Sequence, residues 1–332
     1  MNNSKRSQCQ LALLILLIVS VSFGYVGGCA KGKDDSREES PPSSGSAKEG
    51  EKLKVELQKR MEMHRDQHKA IDIQELIETY GYQVVPAAET YLWDSELRVR
   101  LAATMLIRRA GLMSTDKVER QKVVGKLLDY GLKNPGREDG ILKDLLSFQA
   151  VDYSEAAKEV LQKELSTSPE YTTILLVGAA DVKSALPALK AIVNEVNEPL
   201  KPFDIDSKAS HSHAFAALMA RARMGVKEDV KRCIEMVEAH PDEEYRVIVL
   251  LKRLSYVRQP EVVEYLKKYL FMDNLEPGPE NLSRMTYAQR AAMALAQMLR
   301  GFPGNPEYGG NQETIEQCRK WMAKQKKWNI IR

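Results

Sequence analysis

The sequence predicts an all-helical protein from residue 51 onward, and three observations carry this prediction. Apolar residues recur at spacings of three and four, which is the period of one helix face. No stretch shows the strict alternation that is typical of a half-buried strand. Helical segments also follow one another in pairs joined by short polar turns, so we expect the whole folded part to be a series of helix pairs.

Residues 71–81 (IDIQELIETYG) show how a single helix is delimited. Asp72 is placed to cap the helix, Glu75 to complete a capping box, and Gly81 to end it. The preceding segment, residues 51–70, is highly charged. We expect it to be helical and largely solvated.

The helix pairs repeat loosely along the chain. In residues 84–111, Pro86 lies early in a first helix, Asp94 lies in the turn, and Val99 and Arg100 open the second helix. This unit resembles a HEAT repeat, and we expect Arg100 to bond the turn at Asp94. Five further pairs keep the helix lengths and apolar spacing but lack this signature: 116–131 with 137–150, 154–165 with 169–180, 182–194 with 208–224, 227–239 with 243–258, and 260–271 with 283–300.

The resemblance covers residues 71–302 and implies an α-solenoid of about six helix pairs. Tetratricopeptide-like or other helical repeats, and a compact helical bundle, are the alternatives. A solenoid exposes its end faces unless they are capped. Residues 303–332, with a basic helix over 311–328 that carries Trp321 and Trp328, are predicted to form this cap.

The first 28 residues are typical of an export signal. Lys5 and Arg6 precede thirteen mostly apolar residues, Leu11 to Phe23, and small residues follow. The apolar stretch is shorter than the roughly 20 residues of a spanning helix. We therefore expect a cleaved leader rather than a membrane span.

The leader ends on Val26, Gly27, Gly28 and Cys29. These four residues resemble the lipobox of bacterial lipoproteins, which implies cleavage before Cys29 and acyl chains on that cysteine. An ordinary signal peptide with a chance cysteine is the alternative. Two or more chains anchor a protein durably. The residue after Cys29 is Ala30, not an aspartate. In a bacterium with two membranes, this resembles the pattern of lipoproteins that are sorted to the outer membrane. The protein would then face the periplasm.

Residues 29–50 form the lipidated cysteine and a tether. The segment after Cys29 mixes charge with Ser, Pro and Gly and has no aliphatic residue larger than alanine. Such a composition buries too little surface to offset the entropy of ordering, so we expect it to be disordered.

The charge balance argues against a nucleic-acid binder, and few cysteines remain after removal of the leader. Removal of residues 1–28 takes away Lys5 and Arg6 and leaves 47 basic and 46 acidic side chains. Such a balance lacks the positive field of a nucleic-acid binder. Cys233 and Cys318 remain besides Cys29, and we interpret them as small buried residues, with one disulfide as the alternative.

No motif in the sequence argues for catalysis, a cofactor or a metal. His64 and His68 lie one helical turn apart, but Arg65 replaces the glutamate of the zinc motif H-E-x-x-H. His211 and His213, two residues apart, point to different sides of a helix. The segment FDIDS (203–207) lacks the glycine turn and the distal glutamate of a calcium loop.

Positive charge is concentrated on the second helix of each pair. The six second helices carry 16 basic and 7 acidic residues, whereas the six first helices carry 13 of each. In HEAT-like solenoids the second helices line the concave side, so the resemblance implies basic patches there. Insertions at 195–207 and 272–281 fall between the first and second helix of their pairs, and repeat proteins tend to place such loops on one common face. Tolerated surface insertions are the alternative. The alternative is that these arginines bond turns and helix ends. The predicted partner-binding residues are Arg221, Arg223, Arg246, Arg253, Arg284 and Arg290.

The sequence thus predicts a lipid-anchored scaffold of the cell envelope that is not an enzyme. Its partners would be the membrane, through Cys29, and a protein or an anionic envelope polymer bound on the concave face. The alternatives are a lyase-like or metal-dependent enzyme on a HEAT-like scaffold, and a passive envelope spacer.

Overall fold

Regular structure in this protein is helical. The computed structural model describes residues 44–134, 139–195, 201, 205–206, 208–276 and 284–331. Within these ranges the β contacts are two isolated bridges, Leu275 with Thr286 and Leu299 with Ile330, and there are no strands. The predicted all-α class is therefore confirmed for this part of the chain. The predicted leader, Cys29 and most of the predicted tether lie outside it.

The α-helices follow in chain order as α1 (Ser44–Gln67), α2 (Ile73–Tyr80), α3 (Val84–Ala88), α4 (Leu97–Met113), α5 (Lys117–Lys133), α6 (Asp139–Asp144), α7 (Glu155–Thr167), α8 (Tyr171–Ala179), α9 (Leu186–Asn194), α10 (Ala209–Arg223), α11 (Lys227–Glu238), α12 (Glu243–Tyr245), α13 (Leu251–Leu254), α14 (Pro260–Leu270), α15 (Tyr287–Ala296) and α16 (Gln312–Lys324). A π-helical turn, Arg246–Leu250, joins α12 to α13. Among the helices described, none is long and apolar enough to cross a membrane.

Helix α1 differs from the solvated segment predicted for residues 51–70. It begins at Ser44, within the predicted tether, and it buries Leu53, Leu57 and Met61 almost completely. These three side chains recur every four residues and so lie on one face. The charged residues between them hid this apolar row in the sequence, and α1 is part of the core.

The cap predicted for α2 forms only in part. The Asp72 carboxylate accepts a hydrogen bond from the Glu75 amide at 2.9 Å, and Gly81 ends the helix with a φ of 56°. The Glu75 carboxylate instead receives a hydrogen bond from Arg60 of α1 at 2.8 Å. The second half of the predicted capping box is therefore replaced by an ion pair between two helices.

Two predicted helices are broken into shorter pieces. The first helix of the 84–111 unit is α3 followed by a 3₁₀ helix over Glu89–Trp93. The second helix was predicted over 137–150, but the α-helix there is only α6, which ends at Asp144. A 3₁₀ turn over Leu145–Ser147 follows it. There, the buried Tyr153 hydroxyl donates to the Leu145 carbonyl at 2.6 Å, which satisfies a carbonyl at the break.

In several neighbouring helix pairs, helices at the same position of the pair pack against each other. We call α3, α5, α7, α9, α11 and α14 the first helices, and α4, α6, α8, α10, the α12–α13 segment and α15 the second helices. Among second helices, α6 packs on α8, α8 on α10, and α13 on α15. Among first helices, α5 packs on α7 and α11 on α14. The Arg108 side chain of α4 pairs with Asp144 of α6.

The central second helices are buried on all sides. Every residue of α8 from Thr173 to Ala179 is buried, and so is every residue of α10 from Ala214 to Ala220. Gly178 permits this packing, because a Cβ there would lie 2.7 Å from the Cα of Ala220. These stretches of α8 and α10 are therefore closed to a partner.

The C-terminal part packs on the preceding pair. Helix α16 contacts α14 and α15 and buries Ile315, Cys318 and Met322. Trp321 packs edge-on against Phe302, with 5.4 Å between the ring centroids. Trp328 lies beyond the end of α16, and its indole N–H donates to Glu264 at 3.0 Å.

Candidate functional site

Three of the predicted partner-binding arginines hold carboxylates of their own chain. Arg221 donates to Asp229 at 2.6 Å, Arg253 to Asp206 at 2.9 Å, and Arg290 to Glu276 at 2.8 Å. The Arg221 pair is nearly enclosed, because its side chains are 14% and 12% exposed. These contacts neutralise the positive charge locally.

Two further arginines of the predicted set also have partners. Arg246 donates to the carbonyls of Glu238 and His240, at 3.4 and 3.0 Å, where α11 ends. Arg284 has an interaction as well. The contacts of Arg246 match the alternative to partner binding, in which the arginines bond turns and helix-end carbonyls. A partner-binding role for the set stays a prediction.

The structural role predicted for Arg100 is present. Its guanidinium donates to the carbonyls of Asp94 and Ser95, at 2.8 and 2.9 Å. Arg65 of α1 pairs with the Asp94 carboxylate. The turn of the 84–111 unit is thus held by two arginines from different helices.

Arg223 has no carboxylate partner among the residues described. Its Nη1 donates to the Tyr256 carbonyl at 2.9 Å, and its guanidinium carbon lies 4.7 Å from the centre of the Tyr256 ring. Its other terminal nitrogen, Nη2, is closed to solvent and makes no hydrogen bond there. Burial lowers the pKa of Arg223, whereas Tyr256, Tyr153 and Asp181 act to raise it.

Arg258 lies beside Arg223 and is less well satisfied. Its backbone has a φ of 51°, which is unusual for a residue with a side chain. Its Nη1 is also buried without a partner in the described part of the chain. Burial lowers the pKa of Arg258 to about 9, and the positive charge of Arg223 contributes. Tyr153 and Tyr256 complete this group, which no sequence pattern indicated, because its members are far apart in the chain.

The candidate metal-ligating residues have other contacts. His64 Nδ1 lies 2.7 Å from the Lys69 carbonyl, and the His68 ring contacts the Arg98 guanidinium. Asp206 receives hydrogen bonds from Arg253 and from the Ser212 hydroxyl, the latter at 3.1 Å. In the described ranges, no three His, Cys, Asp or Glu side chains come together as metal ligands. Most of the two predicted insertions, 195–207 and 272–281, lies outside those ranges.

Cys233 and Cys318 are both buried and free. Burial raises the pKa of the Cys233 thiol, and it raises that of Cys318 to about 11. Their interpretation as small buried residues agrees with this environment, and a disulfide between them does not form in this structure.

The first unit exposes a row of apolar side chains that was not anticipated from the sequence. Leu97 and Leu101 lie one turn apart on α4 and are 49% and 43% exposed. Trp93, at the end of the preceding 3₁₀ helix, is 57% exposed. The sequence could have indicated this row, because Leu97 and Leu101 lie on the helix face opposite Val99 and Leu106. A second exposed group, Phe271, Met272 and Leu275, adjoins residues outside the described ranges.

Comparison with known proteins adds no relative. A scan against protein-family models matches none of them, and searches of curated proteins and of solved structures find no match. The described ranges of the structure by themselves define an all-helical protein with an exposed apolar row on α4 and a group of two arginines and two tyrosines. In this group Tyr153 is buried, and Arg223, Tyr256 and Arg258 are partly buried.

Proposed function

We propose that this chain is a lipid-anchored helical-repeat scaffold of the cell envelope that binds a protein partner and is not an enzyme. The observation that carries the binding role is the apolar row of Leu97 and Leu101 on a second helix. The repeat architecture, the anchor and the location in the envelope, facing the periplasm where there are two membranes, are parts of the same proposal.

Matching turns support the repeat architecture. Asp181 follows α8 and Gly225 follows α10, and both have positive φ, at 57° and 93°. In each case the next amide, that of Val182 or Val226, donates to the carbonyl five residues back at 3.1 Å. This is the hydrogen bond of a Schellman motif. Two successive second helices therefore end in the same way, 44 residues apart, as repeats of a HEAT-like solenoid do.

Positive φ recurs after the later second helices. Arg258, after the α12–α13 segment, has a φ of 51°, and Gly301, after α15, has a φ of 75°. Packing between second helices (α6 on α8, α8 on α10, α13 on α15) and between first helices (α5 on α7, α11 on α14) also fits a stack of repeats. These turns support a solenoid over a simple bundle.

The apolar row favours a protein as the partner. Leu97 and Leu101 present a face one turn long, which complements an apolar helix face or loop. An anionic polymer is less favoured, because Arg221, Arg253 and Arg290 already hold carboxylates. Scattered exposed apolar residues are normal on protein surfaces, so the proposal rests on the spacing of these two leucines on one helix face.

The anchor rests on the lipobox resemblance. Acyl chains on Cys29 would hold the folded part at the membrane, and the segment up to α1 would act as a tether. A partner at the same membrane would then meet the scaffold at a high effective concentration.

Comparative co-purification tests the proposal. The full-length protein is recovered from detergent-solubilised membranes as wild type, as Leu97→Asp/Leu101→Asp, and as Val160→Asp. Val160 is a matched control, because it is 41% exposed on the first helix α7. We expect a stoichiometric protein that is retained by wild type and Val160→Asp and lost from the double variant. Equal recovery with all three would contradict binding at the α4 row.

A further inference from the structure

We propose that Arg223 and Arg258 form a binding site for a phosphate group. The site lies where α10 and the α12–α13 segment end, and Tyr153 and Tyr256 border it. It does not involve the α4 row, and it is independent of the proposed protein partner.

Unpaired nitrogens distinguish these two arginines from the others. Six side-chain atoms in the described ranges are buried without a hydrogen-bond partner, and five of them are on arginines. In Arg65, Arg108 and Arg246 the unpaired atom is Nε, and a terminal nitrogen holds a carboxylate or a carbonyl. In Arg223 and Arg258 it is a terminal nitrogen, and neither guanidinium pairs with a carboxylate in the described ranges. Terminal nitrogens, like Nε, bind oxyanions.

Neither arginine forms an ion pair with a carboxylate in the part of the chain that the structure describes. Two carboxylates act electrostatically on this group, Asp181 on Arg223 and Asp152 on Tyr153. Both are already paired, Asp181 with Lys183 at 2.8 Å and Asp152 with Arg120 at 2.7 Å. Buried unpaired charges are costly, and they are normally paired. Two neighbouring arginines without a paired carboxylate thus favour an anion that carries two charges.

The two tyrosines contribute their rings rather than their hydroxyl groups. The Tyr153 hydroxyl donates to the Leu145 carbonyl, and the Tyr256 hydroxyl donates to the Leu175 carbonyl. Both hydroxyl protons are therefore engaged, and the rings form walls of low polarity. An oxyanion between such walls is less screened than in water, which strengthens its attraction to the guanidinium groups.

The ligand chemistry follows from charge and shape. At neutral pH a phosphate group carries close to two negative charges and offers several acceptor oxygens, whereas a carboxylate carries one charge. A phosphate therefore neutralises both arginines and satisfies both free nitrogens. The Nη1 atom of Arg258 makes no hydrogen bond within the described ranges, so a shift of this side chain toward the group breaks no bond at that atom.

Phosphate binding by the purified full-length protein in detergent tests the site. Inorganic phosphate is titrated by calorimetry and thermal melting, with sodium chloride at matched ionic strength and with acetate as controls. We expect phosphate to raise the melting temperature and sulfate to compete with it, while acetate has little effect. A wild-type protein that does not bind phosphate at 10 mM, on the order of the weakest useful affinity, would overturn the proposal.

Variants separate this site from a structural role. Arg223→Gln and Arg258→Asn should each weaken phosphate binding by about tenfold or more. Arg253→Gln is the matched control, because Arg253 lies on the same helical segment and holds Asp206. Without phosphate, Arg258→Asn should melt no lower than wild type, because asparagine tolerates positive φ and the change removes one of two neighbouring positive charges. Unchanged phosphate affinity in Arg258→Asn, or equal losses in Arg253→Gln, would contradict the site.

Discussion

Arg221 and Asp229 form an ion pair between α10 and α11, with 2.6 Å between Nε and Oδ2 and with both side chains nearly enclosed. Removal of one partner leaves the other charge buried and uncompensated. We predict that Arg221→Ala lowers the free energy of unfolding by about 3 kcal/mol. The double variant Arg221→Met/Asp229→Leu should recover most of this loss. Urea denaturation measures both, and a loss in Arg221→Ala of under about 0.5 kcal/mol, as at an exposed pair, would show that the pair is solvated.

Charge reversal is not a suitable test of the paired arginines, because each already holds a carboxylate of its own chain. The changes Arg221→Glu, Arg253→Glu and Arg290→Glu made together would each place a glutamate against an existing carboxylate. We expect that triple variant to lose its fold, so lost binding in it would say nothing about a binding surface.

The turn after α10 requires a residue that accepts positive φ. Gly225 has a φ of 93°, and a Cβ added there would have no other atom within 4 Å. Gly225→Ala should therefore destabilise by about 1 kcal/mol through the backbone alone. Gly125 is the matched control, because it lies inside α5 with equally open space, and Gly125→Ala should stabilise by roughly 0.5–1 kcal/mol. Thermal melting that shows the same sign for both would refute the assignment of this turn.

The two free thiols are predicted to be unreactive in the folded protein. With a pKa of about 11, Cys318 at pH 8 is thiolate in roughly one molecule in a thousand. Since the folded state binds this proton more tightly than the unfolded state, its contribution to stability is present below pH 9 and is lost as pH rises toward 11. Alkylation with iodoacetamide should be slow at pH 8 and rapid in urea. Fast labelling of native Cys233 or Cys318 would contradict their burial.

The anchor has its own prediction. Cys29→Ser should release or misprocess the protein, whereas Cys9→Ser should leave both processing and location unchanged, because Cys9 lies within the predicted leader. Membrane fractionation with metabolic labelling by a radioactive fatty acid reports on both. A mature wild-type protein that is soluble and carries no lipid label would exclude the lipoprotein assignment.

Helix positions were largely predictable from the sequence, because they depend on local periodicity and caps. The predictions over 208–224 and 227–239 correspond to α10 and α11 within one residue at each end. The 84–93 segment was less predictable, since its break into α3 and a 3₁₀ helix leaves the apolar spacing nearly unchanged.

The environments of side chains were mostly not predictable, because their contacts are distant in the chain. Tyr256 and Leu175, whose hydrogen bond borders the arginine pair, are 81 residues apart. Arg221 and Arg223 look alike in the sequence, yet one holds a carboxylate and the other donates to a backbone carbonyl. A charge count by helix cannot separate paired arginines from unpaired ones.

The protein-binding role is tested most directly by site-specific photocrosslinking in intact cells. A photoreactive amino acid is placed at Leu101 on α4 or, as the control, at Val160 on α7, since these positions are similarly exposed at 43% and 41%. We predict one defined crosslinked species from position 101 and none from position 160. The absence of a crosslink at 101, or the same species from both positions, would contradict the claim that α4 carries the binding surface.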